Sequence, residues 1–270
     1  MKTKILLIFF ISLFVSKGVY SQKDKVDFKP YYVTFTKLHG FQDVDKEKWK
    51  KIEIDFFNKV VKKNPYVLHY EFLYNYYENE NPEYIIVKVF KTWDDIEKAH
   101  QENKKLISKA WPDPEERSDF FNEQNKYYDL YYSNEIFTSA PLAQYKPESK
   151  TNSDTNQKLF YVLYDKLADY ENDDSLDAYQ KYIENVTYKN PYVKAYYAQK
   201  HYVGHDSRDF YQIFVVDSYE DLHKSFDKDK ELLKSMIPDE NERIKFVDLY
   251  NKGVERVRNG LYKNIPEISK

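Results

Sequence analysis

The residues best placed to do chemistry lie on short aromatic runs. His69 and Glu71 stand two apart in a stretch that reads as strand, so they share one face with Val67 and Leu73. A carboxylate beside an imidazole can orient or charge it, which is the arrangement acid–base chemistry needs. One hundred and twenty-six residues later the equivalents are Ala195 and Tyr197, with His201 further along the same run. Lys88 and Gln212 are the polar members of two other matched strands. His69, Glu71, Lys88, Tyr197, His201 and Gln212 are therefore the candidate ligand-binding residues. None is assigned a catalytic role, because no polar constellation recurs in both halves of the chain.

Other arrangements weigh less. His201, His205 and Asp206 flank Gly204 and could reach a metal, but no third fixed ligand accompanies the histidines. His100 and His223 fall on helical stretches at non-equivalent positions, an unpromising start for a haem ligand. Arg117 and Arg243 are equivalent, each just after a helix-capping sequence, and read better as structural ties than as an anion clamp. No cysteine is present, which removes disulfides, thiolate metal sites and cysteine nucleophiles. The expected complement is no cofactor and no metal. Net charge is −3 with no basic stripe, against a nucleic-acid partner.

The elements that must position these residues follow from periodicity. Tyr31–Thr36 reads as strand, and Trp49, Ile52, Phe56 and Val60 mark a helix that Asn64-Pro65 stops. Tyr66–Tyr77 and Tyr84–Phe90 are strands, followed by helices starting near Thr92 and Pro112, then a short strand at Ile136–Thr138. The same order recurs from Leu159. Lys63-Asn64-Pro65-Tyr66-Val67 returns as Lys189-Asn190-Pro191-Tyr192-Val193, and residues 64–126 align with 190–252 without a gap. The expected layout is a signal peptide at 1–21, a first repeat at 31–141, a linker at 142–158 and a second repeat at 159–266. Lys2, Lys4, the apolar run Ile5–Val15 and Val19-Tyr20-Ser21 make up that secretory signal, placing the mature protein in a bacterial periplasm or outside the cell, with no membrane attachment after cleavage.

Strand–helix–strand twice over is the ferredoxin-like order, giving an α+β fold. Ile85, Val87 and Val89, matched by Tyr211, Ile213 and Val215, form an all-apolar face expected to meet the helices. The opposite face, with Tyr84, Ile86, Lys88 and Phe90, is then expected to meet its counterpart in the other repeat. Two tandem ferredoxin-like repeats packed sheet to sheet resemble a fused form of the dimeric α/β-barrel superfamily. The Trp111-Pro112-Asp113…Glu116-Arg117 and Ser133-Asn134-Glu135-Ile136-Phe137 stretches also resemble uncharacterised exported proteins of Gram-negative bacteria. The superfamily resemblance implies sites between sheet and helices or inside the barrel. It also implies an activity range from cofactor-free monooxygenases and haem enzymes to plain binding proteins. The reading that follows is a monomeric pseudo-dimer: an exported, non-catalytic binding protein for a small apolar or aromatic ligand. A cofactor-independent monooxygenase or a haem-dependent enzyme is the alternative.

Overall fold

The computed structural model describes residues 30–41, 44–77, 82–140, 157–168, 173–204 and 206–270. The signal segment 1–21, residues 142–156 of the linker, residues 78–81 of the first hairpin turn and His205 lie outside them. The first half contains β1 (Tyr32–Gly40), α1 (Lys46–Lys59), β2 (His69–Asn75), β3 (Glu83–Phe90), α2 (Asp94–Ala110), α3 (Pro114–Asn125) and β4 (Tyr128–Ser139). The second contains β5 (Leu159–Leu167), α4 (Asp173–Asn185), β6 (Ala195–Val203), β7 (Asp209–Val216), α5 (Tyr219–Met236), α6 (Glu240–Gly253) and β8 (Val254–Asn264). The last strand of each half is long, not the short segment expected. Among the described residues no helix is long and apolar enough to cross a membrane.

Local chemistry explains the joints. Asp45 starts α1 by accepting from the Lys48 amide at 2.9 Å, and Asp113 and Asp239 cap α3 and α6 the same way. After α1, a short 3-10 turn at Val61–Lys63 ends on Asn64, which is fully buried. Its Nδ2 donates to the Ala99 carbonyl at 2.8 Å and to Asn103 Oδ1 at 2.7 Å, while its Oδ1 accepts from the Tyr66 amide at 3.0 Å. Asn190 repeats the arrangement with the Ser225 carbonyl, Asp229 and Tyr192. The Asn-Pro-Tyr sequence therefore stops a helix, starts a strand and docks the next helix.

The eight strands close into a barrel in the order β1-β3-β2-β8-β5-β7-β6-β4, and β4 pairs back to β1. Every neighbouring pair is antiparallel. Within each half the order is fourth, first, third, second; the halves meet at β2–β8 and β4–β6. Closure leaves no unpaired sheet edge.

The two strand faces are reversed from expectation. The all-apolar face points into the barrel, where Val33, Phe35, Ile85, Phe137, Ile213 and Val215 share one core. The mixed face points outward to the helices: Tyr84, Ile86 and Phe90 pack with Trp49, Phe57 and Ala99. The physical reason is that the inner faces of both halves meet across the lumen and bury their apolar residues in one cluster. The outer face meets amphipathic helices, where α1 supplies Glu53 as acceptor for the Tyr128 hydroxyl.

Candidate active site

The reversal puts Lys88 under the helices. It sits on β3, in register with Thr34 of β1 and Tyr70 of β2, and its side chain lines a cavity of about 270 Å³ between the sheet and helices α1 and α3. Leu38, Phe56, Tyr70 and Ile86 supply apolar and aromatic walls; Glu53, Gln124, Asn125, Tyr128 and Asp129 supply polar ones. Burial lowers the Lys88 ammonium from its usual value, and among the described residues no carboxylate forms an ion pair with it.

Glu53 comes from α1. Trp49, Glu53 and Phe57 are spaced by four, so they share a helix stripe, and all three are buried. Trp49 Nε1 donates to the Tyr128 hydroxyl at 2.7 Å, which donates to Glu53 Oε1 at 2.7 Å; Gln124 Nε2 donates to the same oxygen at 2.9 Å. Burial raises the Glu53 carboxyl, against the lowering effect of these two hydrogen bonds. Burial also pushes the Tyr70 and Tyr128 hydroxyls well above their ordinary value, with the Glu53 charge adding to it. Glu53 and Lys88 do not contribute to each other's shift, so they are separate groups on one cavity rather than an ion pair. Such an arrangement offers an amine biased toward its neutral, basic form and a carboxyl biased toward its neutral, acidic form.

The matching place in the second half is aromatic. The residues 126 positions on from Glu53, Tyr70, Lys88 and Gln124 are Tyr179, Tyr196, Phe214 and Tyr250. The Tyr179 and Tyr196 hydroxyls are 2.6 Å apart, Tyr196 donates to Gln212 Oε1 at 2.7 Å, and Gln212 Nε2 donates to Asp165 at 2.7 Å. Arg256 holds the other Asp165 oxygen. Gln212 thus belongs to a buried chain of satisfied partners.

His69, Glu71 and Tyr197 meet inside the barrel, around a void of about 60 Å³. His69 Nε2 lies 3.4 Å from Glu71 Oε1, and Ser269 Oγ donates to Glu71 at 2.7 Å. Burial raises the Glu71 carboxyl, with His69 and Ser269 working against it. His201 stands apart, its ring edge-on to Phe137 and its buried Nε2 without a partner. The six sequence candidates therefore divide among the helix-side cavity, its aromatic counterpart and the lumen.

Asp206 is engaged by Lys166 and Arg208, and among the described residues no three histidines or carboxylates converge on a metal site. Arg117 donates to the Trp111 carbonyl at 3.3 Å and Arg243 to the Ile237 carbonyl at 2.8 Å, tying each helix start to the preceding turn. A larger open cleft of about 460 Å³ lies beyond Trp49, but its charged pair Lys50 and Glu267 is spent on itself at 2.7 Å. A haem does not fit these donors. His100 and His223 are exposed on α2 and α5, neither helix-side cleft has a histidine in its walls, and Tyr70 and Tyr128 are held as neutral phenols.

Glu53, Gln124 and Tyr128 were not singled out by sequence. The available signal was the charged residue in the Trp49–Glu53–Phe57 stripe, visible only if the apolar face is drawn through Phe57 rather than Phe56.

No family model matches the chain, and no curated protein matches it. Solved structures do. A protein from Fusobacterium nucleatum subsp. nucleatum, provisionally named a monooxygenase, is 10% identical with a TM-score of 0.55 over 88% of this chain and 92% of its own. A protein provisionally named a chlorite dismutase is 10% identical, with a TM-score of 0.50 over 89% and 97%. A chlorite dismutase variant from Candidatus Nitrospira defluvii is 14% identical, with a TM-score of 0.50 over 88% and 92%. The chain has the fold of the dimeric α/β-barrel proteins. The non-catalytic binding reading is corrected here, because the solved proteins that share the fold are named for enzymes.

Proposed function

We propose that the chain is an enzyme of the dimeric α/β-barrel type whose active site is the cavity holding Glu53 and Lys88, and that it acts as a cofactor-independent monooxygenase. The observation that carries this is the desolvated lysine without an ion-pair partner on a cavity wall that also carries a buried carboxyl. Neutral Lys88 takes a proton from an acidic C–H of a small aromatic substrate held against Phe56 and Tyr70. The resulting carbanion reduces dioxygen: one oxygen atom becomes a carbonyl on the substrate and the other leaves as water, with both hydrogens of the methylene. Glu53, steadied by Tyr128 and Gln124, returns protons to the departing oxygen.

The test is oxygen uptake across a panel of activated phenols and 1,3-dicarbonyl compounds. Uptake that requires the protein and falls at least about a hundredfold in Lys88→Met is expected. No uptake with any compound, or undiminished uptake in the variant, overturns the reading.

The architecture carries two further proposals. The chain is a duplication of a ferredoxin-like unit, supported by the repeated strand order and by the matched Asn64 and Asn190 joints; one copy lines its cavity with Glu53 and Lys88 and the other carries Tyr179 and Phe214 at those positions. The protein is exported, supported by the apolar run after Lys4, and N-terminal sequencing of the mature protein should begin at Gln22.

A further inference from the structure

The cavity around Lys88 has a second chemical capacity that proton abstraction does not use. A lysine amine without its proton is a nucleophile as well as a base, and desolvation in an apolar pocket is one of the ways a lysine is activated for attack on carbonyls. We infer that Lys88 captures small aromatic aldehydes or ketones as an imine, within the cavity bounded by Phe56, Tyr70 and Ile86, with Glu53 as the proton donor. Three placements support this. Lys88 lines the cavity and has no ion-pair partner among the described residues. The same lining includes Leu38, Phe56, Tyr70 and Ile86, an apolar and aromatic share suited to a ring-bearing carbonyl compound. Both hydrogen bonds to Glu53 arrive on Oε1, leaving Oε2 to carry a proton.

The sequence of bonds is balanced. The Nζ lone pair attacks the carbonyl carbon, the carbon–oxygen π bond breaks, and the oxygen takes a proton from the nitrogen to give a carbinolamine. Glu53 Oε2 then delivers its proton to that hydroxyl, which leaves as water while the nitrogen lone pair forms the C=N bond. The Glu53 carboxylate recovers the remaining N–H proton, giving the neutral imine and restoring the acid. No oxidant is consumed. The inference shares the cavity with the monooxygenase reading and none of its redox chemistry, so trapping can succeed where oxygen uptake fails, and the reverse.

Benzaldehyde with sodium cyanoborohydride is the probe, read by peptide mass spectrometry of the whole protein near neutral pH. An exposed lysine of ordinary pKa is neutral in only about one molecule in 2,500 at pH 7, so a lysine whose pKa is lowered by burial reacts ahead of it. The expected result is benzyl addition at Lys88 at least about tenfold faster than at the exposed lysines, levelling off at lower pH than theirs. Glu53→Gln should slow labelling at Lys88 by about a hundredfold while leaving the surface lysines unchanged. Label spread evenly over surface lysines, or labelling at Lys88 that rises with pH in parallel with theirs, overturns the inference. These readouts are made on the unaltered protein and do not depend on a variant that folds. An unchanged rate in a folded Glu53→Gln protein removes Glu53 from the step and overturns the mechanism as written.

Discussion

Lys88 and Glu53 oppose the fold that holds them, and their pH signs differ. The folded pKa of Lys88 is lowered, so the unfolded chain binds more protons and stability rises with pH from the folded value up to the ordinary one near 10.4. Below that window the buried cation costs stability in full. Lys88→Met should therefore stabilise the protein at neutral pH by about 1 kcal/mol, and the gain should shrink as pH rises from the folded value toward about 10.4. Urea melts of both proteins check this; a destabilised variant near pH 7 would mean that Lys88 has a favourable partner. For Glu53 the folded pKa is raised, so the penalty is absent below the ordinary carboxyl value near 4.3 and grows as pH rises through the window above it. Gln at 53 keeps an acceptor for Tyr128. Glu53→Gln should gain stability at neutral pH and gain none near pH 4, by the same melts. Both variants would trade activity for stability, the pattern expected where buried polar groups are kept for function.

At the scale of elements, the two joints make the sharpest case. Asn64 and Asn190 are buried, and each ties a strand start to the middle of the following helix by three hydrogen bonds. Asn64→Ala removes all three bonds and leaves the part-buried Tyr66 amide without its acceptor, and should cost about 2 to 3 kcal/mol. Asn190→Ala should cost a similar amount, and the double variant should show the sum, because the sites share no partner. Chemical denaturation of the three proteins measures it; a variant at wild-type stability would remove the docking role. These joints were legible in the sequence because proline and a repeated motif mark them. Element order was legible too, since aromatic runs alternate with helical periodicity. Which face of β3 looks inward was not. Alternation separates Ile85, Val87 and Val89 from Tyr84, Ile86 and Phe90, but both sets are apolar because both sides of a covered barrel are buried. That one ambiguity hid the cavity, since it sent Lys88 to the wrong side of the sheet and away from Glu53.

At the scale of the whole molecule, the barrel depends on its two seams. β2 and β8 match over three residue pairs and β4 and β6 over four, against eight for β1 with β3 and eight for β5 with β7. Aromatic rings reinforce both seams in matched positions. Tyr76, at the end of β2, stacks on Tyr219 at the start of α5, with centroids 5.6 Å apart. Tyr202, 126 residues on, meets Trp93 at 5.4 Å and Tyr32 at 5.3 Å. Each contact joins a strand of one half to a helix start or strand start in the other, so each is lost if the halves part. Such ring pairs contribute about 0.5 to 1.5 kcal/mol beyond the area they bury. Removing both in Tyr76→Ala with Tyr202→Ala should loosen the seams selectively. Hydrogen exchange should then quicken at the β2–β8 and β4–β6 amides well before the β1–β3 and β5–β7 amides respond. Unfolding should remain a single transition, because the lumen core draws on strands of both halves: Phe35, Ile85 and Phe137 pack in one cluster with Val162, Ile213 and Tyr262. Exchange quickened evenly around the barrel would show that the seams are not its weak lines, and two resolved transitions in the double variant would show that the lumen core does not hold the halves together.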